Sequence, residues 1–113
     1  MRDLTKLRVY AMARQFVIDV YALPCQGYGC IVHHLRRTAL SIKSNIAEGA
    51  RRESRKEFRR FLDIANGSAS EAWAQLESAG DVGEIIQGDG DRLMNDADML
   101  GRALNKLMGT IKV

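Results

Sequence analysis

The chain has 113 residues, enough for one hydrophobic core but too few for a catalytic domain beside a separate binding domain. It has a single proline and plentiful Ala, Leu, Arg and Glu, a composition that favours an all-α fold. No apolar run approaches the roughly 20 residues of a membrane span, and "MRDLTKLRVYAMARQF" holds no signal-peptide core, so a cytoplasmic protein with no membrane partner is expected.

The first amphipathic segment runs from about Asp3 to Ala22. Leu4, Leu7, Ala11, Ile18 and Tyr21 make one stripe; Val9, Ala13, Phe16, Val17 and Val20 make a second. Two apolar faces exceed what a monomeric bundle buries, so one is expected against a neighbouring chain. Pro24, Gly27 and Gly29 end the segment.

A second segment, Cys30 to Glu48, repeats Ile31, Leu35, Ala39, Ile42 and Ile46 at helical spacing. Gly49 stands where a left-handed C-terminal cap would fall. Ser54 and Glu57 then match a capping box, in which each side chain bonds the other's backbone N–H. The third segment, Ser54 to Val82, carries Phe58, Phe61, Leu62, Ala65, Ala69, Ala72, Leu76 and Ala79 on one face. Gly67, Ser68 and Ala69 allow close approach of another helix at its middle. After the turn "GEIIQGDGD", the fourth segment, Asp89 to Ile111, holds Leu93, Ala97, Leu100, Leu104, Leu107 and Ile111. Asp89 or Asp91 is expected to cap it.

Four helices with short connections pack most simply as one domain over residues 1–113, an antiparallel up-down-up-down four-helix bundle. The turns flanking the third helix then lie at opposite ends, roughly 40 Å apart at 1.5 Å per residue.

That geometry gives the charges meaning. Net charge is only +3, but the signs are segregated. Arg36, Arg37, Lys43, Arg51, Arg52, Arg55, Lys56, Arg59 and Arg60 face only Glu48, Glu53 and Glu57 within their stretch. Asp81, Glu84, Asp89, Asp91, Asp96 and Asp98 face only Arg92 within theirs. Arg55 with Arg59 and Lys56 with Arg60 are like-charge pairs one turn apart, each unfavourable by roughly 0.2–0.5 kcal/mol. An anionic partner relieves them, and arginine forks match phosphate oxygens. The nine cations are therefore candidate nucleic-acid contacts, for RNA or DNA, through the backbone and with weak sequence preference. The competing reading is a solvated face, or one neutralised by acids of a neighbouring subunit in a purely structural or protein-binding oligomer.

Asn45 and Glu48 share a face, as do Ser68, Glu71 and Gln75. A structural polar network joining helices two and three is expected from them. A di-metal bundle would need Glu-x-x-His motifs, and none occurs. Cys25, Cys30, His33 and His34 lie close in sequence, but without zinc-type spacing or a third orienting residue. No metal, cofactor, disulfide or catalytic residue is assigned. A small metal-binding protein or enzyme using Cys25–His34 is kept as an alternative to a non-enzymatic one.

The stretch "LRRTALSIKSNIAEGARRESRKEFRRFLDIANGSASEAWAQLESA" resembles the four-helix-bundle proteins of 23S rRNA intervening sequences, sometimes called S23 ribosomal proteins. Arg36, Arg37, Ser41, Ile42, Ser44, Asn45, Ile46, Ala47, Glu48 and Gly49 match the family's "SIPSNIAEG" region. Ser54, Phe58, Phe61, Leu62, Ile64, Ala65, Gly67, Ser68 and Glu71 match its "FLxIAxGSxxEL" helix. Lys43 stands where the family carries a proline, and His34 where it carries a glutamine. The resemblance implies a closed homopentamer. A relative, the accessory variability protein of diversity-generating retroelements, binds nucleic acid and a reverse transcriptase, so the resemblance also implies a nucleic-acid enzyme as a partner.

Overall fold

The computed structural model describes residues 2–113. A 3-10 turn at Leu4–Lys6 leads into four helices: α1 (Arg8–Tyr21), α2 (Ile31–Arg51), α3 (Arg55–Asp81) and α4 (Gln87–Thr110). No strand occurs among the described residues. The helices pack α1 on α2, α2 on α3, α3 on α4 and α4 on α1, so each has two neighbours around one core.

Each helix supplies one stripe to that core, because residues three and four apart fall on the same side. Val9, Ala13, Phe16 and Val20 come from α1, and Val32, Leu35, Ala39, Ile42 and Ile46 from α2. Leu62, Ala65, Ala69, Ala72, Leu76 and Ala79 come from α3, and Leu93, Ala97, Leu100 and Leu104 from α4. Each fully buried leucine contributes about 1.5–3 kcal/mol of transfer free energy. The alanines of α3 let its backbone lie close to both neighbours. The other α1 stripe divides: Leu7 packs half-buried against the core, while Ile18 and Tyr21 stay exposed.

Hydrogen bonds fix what meets at each end. The Arg2 backbone N–H donates to Ala50 O at 2.9 Å, and the Arg2 guanidinium reaches Arg52 O. Arg2, Arg55, Phe58, Thr110, Ile111 and Lys112 line one cleft, so the start of the chain, the α2–α3 turn and the end of α4 share one end. At the other, Glu84 meets the start of α2, and Arg36 meets the end of α1. The molecule measures 44 × 22 × 20 Å, and its long axis matches the roughly 40 Å that the 27 residues of α3 span at 1.5 Å each.

Several local expectations are corrected. Gly49 is not a left-handed cap: α2 continues to Arg51 and ends on Arg52 in extended backbone, and among the described residues only Gly27 and Gly83 have positive φ. Gly49 is instead a point of close approach, where an added Cβ would lie 2.8 Å from Phe61 Cβ. Gly67 has open space around it, so the close approach expected there falls to buried Ala69. The capping box is half formed: Glu57 N donates to Ser54 Oγ at 3.2 Å, but the Glu57 carboxylate turns to Arg60. Neither Asp89 nor Asp91 caps α4. Its N-cap is Ile86, with Asp89 inside the first turn. Buried Ile85 packs on Gly90, which holds the entry angle as a hydrophobic staple does. Asp3 caps the short 3-10 turn that precedes α1, accepting from Thr5 Oγ1 at 2.6 Å and Thr5 N at 3.0 Å. Those two bonds hold its carboxyl below the usual range.

Candidate nucleic-acid interface

The α2–α3 turn places six of the nine candidate cations at one end. Arg51 and Arg52 close α2; Arg55, Lys56, Arg59 and Arg60 follow on the first two turns of α3. All six are exposed. They divide into two groups. Arg52 pairs with Glu48 at 2.6 Å, and Arg60 with Glu57 at 2.7 Å. Both guanidinium groups also lie over the Phe61 ring, at 5.0 and 4.7 Å from its centroid. Phe61 is thereby flanked by two paired arginines, and Arg60 holds the Glu57 carboxyl below its ordinary range. Among the described residues, Arg51, Arg55, Lys56 and Arg59 form no ion pair.

The helix ends sharpen this contrast. Arg51 sits in the last turn of α2, where a cation suits the negative end of the dipole. Arg55 and Lys56 sit in the first turn of α3, where the exposed N–H groups already carry positive charge. Ser54 satisfies only one of those donors. The start of α3 therefore holds cations where both neighbouring charges and the backbone disfavour them, whereas the dipole of α2 favours Arg51. Lys56, Arg59 and Arg60 also border a cleft of about 500 Å³ with Asp63, Asn105 and Met108.

Two cations that no sequence pattern singled out join this end. Arg2 lies 4.2 Å over the Phe58 ring, and Lys112 lines the same cleft as Arg2 and Arg55. Both come from chain positions far from the cluster, so only the packing of helix ends reveals them.

Arg36, Arg37 and Lys43 do not belong to this end. Arg36 lies 15 positions before Arg51 on α2, roughly 22 Å away at 1.5 Å per residue. Its Nη2 donates to Leu23 O at 2.9 Å and Tyr21 O at 3.1 Å, so it holds the last carbonyl of α1 and one in the loop just after it. Arg37 is exposed on the next position of α2. Lys43 lies near mid-helix, 5.8 Å from the Tyr10 ring centroid. α2 runs unbroken through it.

The polar network between α2 and α3 is smaller than expected. Ser41 Oγ and Ser68 Oγ meet at 3.1 Å, and Asn45 Nδ2 donates to Ser41 O at 2.8 Å and to Ser41 Oγ at 3.1 Å. Asn45 and Ser68 are thus joined through Ser41. Glu48 and Glu71 are corrected out of the network. Glu48 accepts from Arg52, the C-cap residue of its own helix, and Glu71 from Gln75 within α3, because an i,i+4 partner was nearer than one across the interface.

Toward the opposite end Asp89 pairs with Arg92 at 3.4 Å, while Asp98, expected in the same acidic cluster, lies at the middle of α4 and pairs with Arg102 at 2.9 Å. Burial pushes the Asp96 carboxyl above its ordinary range; Asp19 adds to that shift and Arg92 opposes it. His33 sits edge-on between Tyr28 and His34, with ring centroids 5.0 and 5.7 Å away. Among the described residues, no group of three or more His, Cys, Asp or Glu is placed to hold a metal ion. No described helix is long and apolar enough to cross a membrane.

The family model described as 23S rRNA-intervening sequence protein matches residues 5–106, a span that includes the basic turn and the Ser41–Asn45–Ser68 junction. No curated protein matches the chain.

Proposed function

Since the chain belongs to the 23S rRNA-intervening sequence protein family, we propose that it is a non-enzymatic, oligomeric accessory protein whose basic end binds RNA or DNA through the phosphate backbone. One observation carries this reading. Arg51, Arg55, Lys56 and Arg59 are exposed on consecutive turns without an ion pair among the described residues, beside the positive end of α3. Phosphate oxygens supply the charge that this end lacks, and each contact releases counterions. The flanking Phe58 is buried and Phe61 is covered by Arg52 and Arg60, so base stacking has no platform and sequence preference is weak. The same surface would equally suit an acidic patch on a nucleic-acid-processing enzyme such as a reverse transcriptase.

The assembly is part of the proposal. The end-to-end contacts support a one-domain, up-down-up-down bundle. Exposed Ile18, Tyr21, Trp73 and Met99 support self-association, and a homopentamer would bring five basic ends together. A second reading, a structural oligomer with its basic end neutralised by neighbouring acids, draws on the same exposed apolar side chains and on the acidic residues Asp81, Asp89 and Asp91 at the far end.

Fluorescence anisotropy with labelled duplex and single-stranded RNA and DNA across a salt series separates the two. Binding that weakens steeply with salt supports the polyanion reading. No binding at low salt overturns it and leaves the structural oligomer. Light scattering tests the assembly, and a monomer at micromolar concentration would remove the pentamer.

A further inference from the structure

The α1–α2 loop, at the end away from the basic turn, brings two thiols together. Cys25 and Cys30 are both half-buried, and their Sγ atoms lie 2.8 Å apart. The intervening "QGYG" makes this possible. Gly27 adopts a φ of +128°, and its carbonyl accepts from the Cys30 backbone N–H at 3.3 Å, so the loop folds back on itself. The positive φ is open to glycine and strained for other residues.

We propose that Cys25 and Cys30 form a thiol–disulfide redox site that closes the α1–α2 loop. The geometry distinguishes this chemistry from metal binding. Two thiolates on one tetrahedral zinc, with Zn–S near 2.3 Å, stand about 3.7 Å apart. The observed separation is well inside that and approaches the roughly 2.05 Å of an S–S bond. Cys30 is also the N-cap of α2, where the helix dipole favours a thiolate. The neighbouring Cys25 thiol lowers the Cys30 pKa through their hydrogen bond, with desolvation and Glu84 opposing. Cys30 is therefore the attacking sulfur and Cys25 the resolving one.

The oxidant is a low-molecular-weight disulfide. The Cys30 thiolate attacks one of its sulfurs, forming a mixed disulfide and releasing one thiolate. Cys25, losing its proton, attacks Cys30 Sγ and expels the second. One disulfide is reduced to two thiols, the two cysteines are oxidised to one disulfide, and their two protons go to the departing thiolates. The product staples the loop to the first residue before α2, beside the Glu84 bonds to Ile31 and Val32.

The test treats the full-length reduced chain with glutathione disulfide, then counts free thiols and measures intact mass without reductant. The expected result is loss of both thiols, a mass lower by two hydrogens with no glutathione attached, a rate independent of protein concentration, and several-fold slower proteolysis in the loop. Cys25→Ser is expected to stop at a glutathione adduct on Cys30. Stable glutathione adducts on the unsubstituted chain, cross-linked dimers, or retention of both thiols would overturn the proposal. The unsubstituted chain decides the question alone, so a misfolded variant does not protect it.

Discussion

The Glu84 carboxylate closes the start of α2: Oε2 accepts from the Ile31 N–H at 3.0 Å and Oε1 from the Val32 N–H at 3.1 Å. Cys30, the N-cap residue, makes no side-chain cap of its own. A residue more than fifty positions away thus fills the role that Ser or Asp usually performs locally. Arg36 acts reciprocally on the carbonyls at the end of α1. The two residues fasten three helices at the end opposite the basic turn.

Glu84→Ala is accordingly expected to lower stability by about 1–2 kcal/mol, since it leaves two helix N–H groups without their acceptor. Glu84→Gln, which keeps one carbonyl oxygen, recovers part of the loss. Urea unfolding followed by circular dichroism measures both. An alanine variant as stable as the parent chain would show that water replaces the cap without cost.

Glycines 49 and 67 separate two roles that look alike in sequence. Gly49→Ala drives a methyl to 2.8 Å from Phe61 Cβ and 3.2 Å from Phe58 Cδ1, against a backbone junction with little freedom to yield. A loss of about 1–3 kcal/mol is expected, outweighing the gain in helix propensity. Gly67→Ala meets nothing within 4 Å. It should gain about 0.5–1 kcal/mol from propensity alone. Thermal unfolding of the two variants, side by side, checks the opposite signs. A loss at Gly67 would mean that another copy covers that face.

These cases show which features the sequence carries and which it does not. The core was legible because Leu35, Ile42, Ile46, Leu62, Leu76, Leu93 and Leu104 obey a spacing that only a helix satisfies. Ser54 was legible as a cap because its partner is three residues away. Gly49 was misread, since a glycine at a helix end and a glycine under a crossing helix look identical until the crossing helix is present. Glu84, Arg2 and Lys112 were invisible for a related reason: their partners come from distant segments. Arg36 and Lys43 were grouped with the arginines of the turn by proximity in the chain. The straight run of α2 carries Arg36 toward the opposite end.

Asp96 offers a pH test with a definite sign. Its folded-state pKa is raised, chiefly by burial, so the folded chain holds this proton more tightly than the unfolded chain. The stabilisation is present below the unfolded value of about 3.9 and is lost as pH rises through the higher folded value. At pH 7 the charged carboxylate faces Asp19 in a partly desolvated groove with Met12, Phe16 and Met99. Asp96→Asn removes that penalty. Its Tm should exceed the parent's at neutral pH, with the difference shrinking toward zero as pH falls below about 4. A constant offset across that range would mean that packing, not charge, sets the effect.

Neutralising the free cations at the basic end is expected to move stability and binding in opposite directions. Arg55→Gln with Lys56→Gln removes positive charge from the first turn of α3 and breaks the like-charge pairs with Arg59 and Arg60. Stability should hold or rise by a few tenths of a kcal/mol, because each relieved pair contributes about 0.2–0.5 kcal/mol. Affinity for nucleic acid should fall, and the slope of log K against log salt should lose about 0.9 per duplex phosphate contact removed. Arg36→Gln is the internal control. It loses its bonds to Tyr21 and Leu23, so it should lower Tm and leave the salt slope unchanged. A double variant that binds as the parent does, with the same slope, would place the polyanion contact elsewhere. A variant that unfolds would show that these cations stabilise the turn by a contact absent from the isolated chain, as the neutralised oligomer requires.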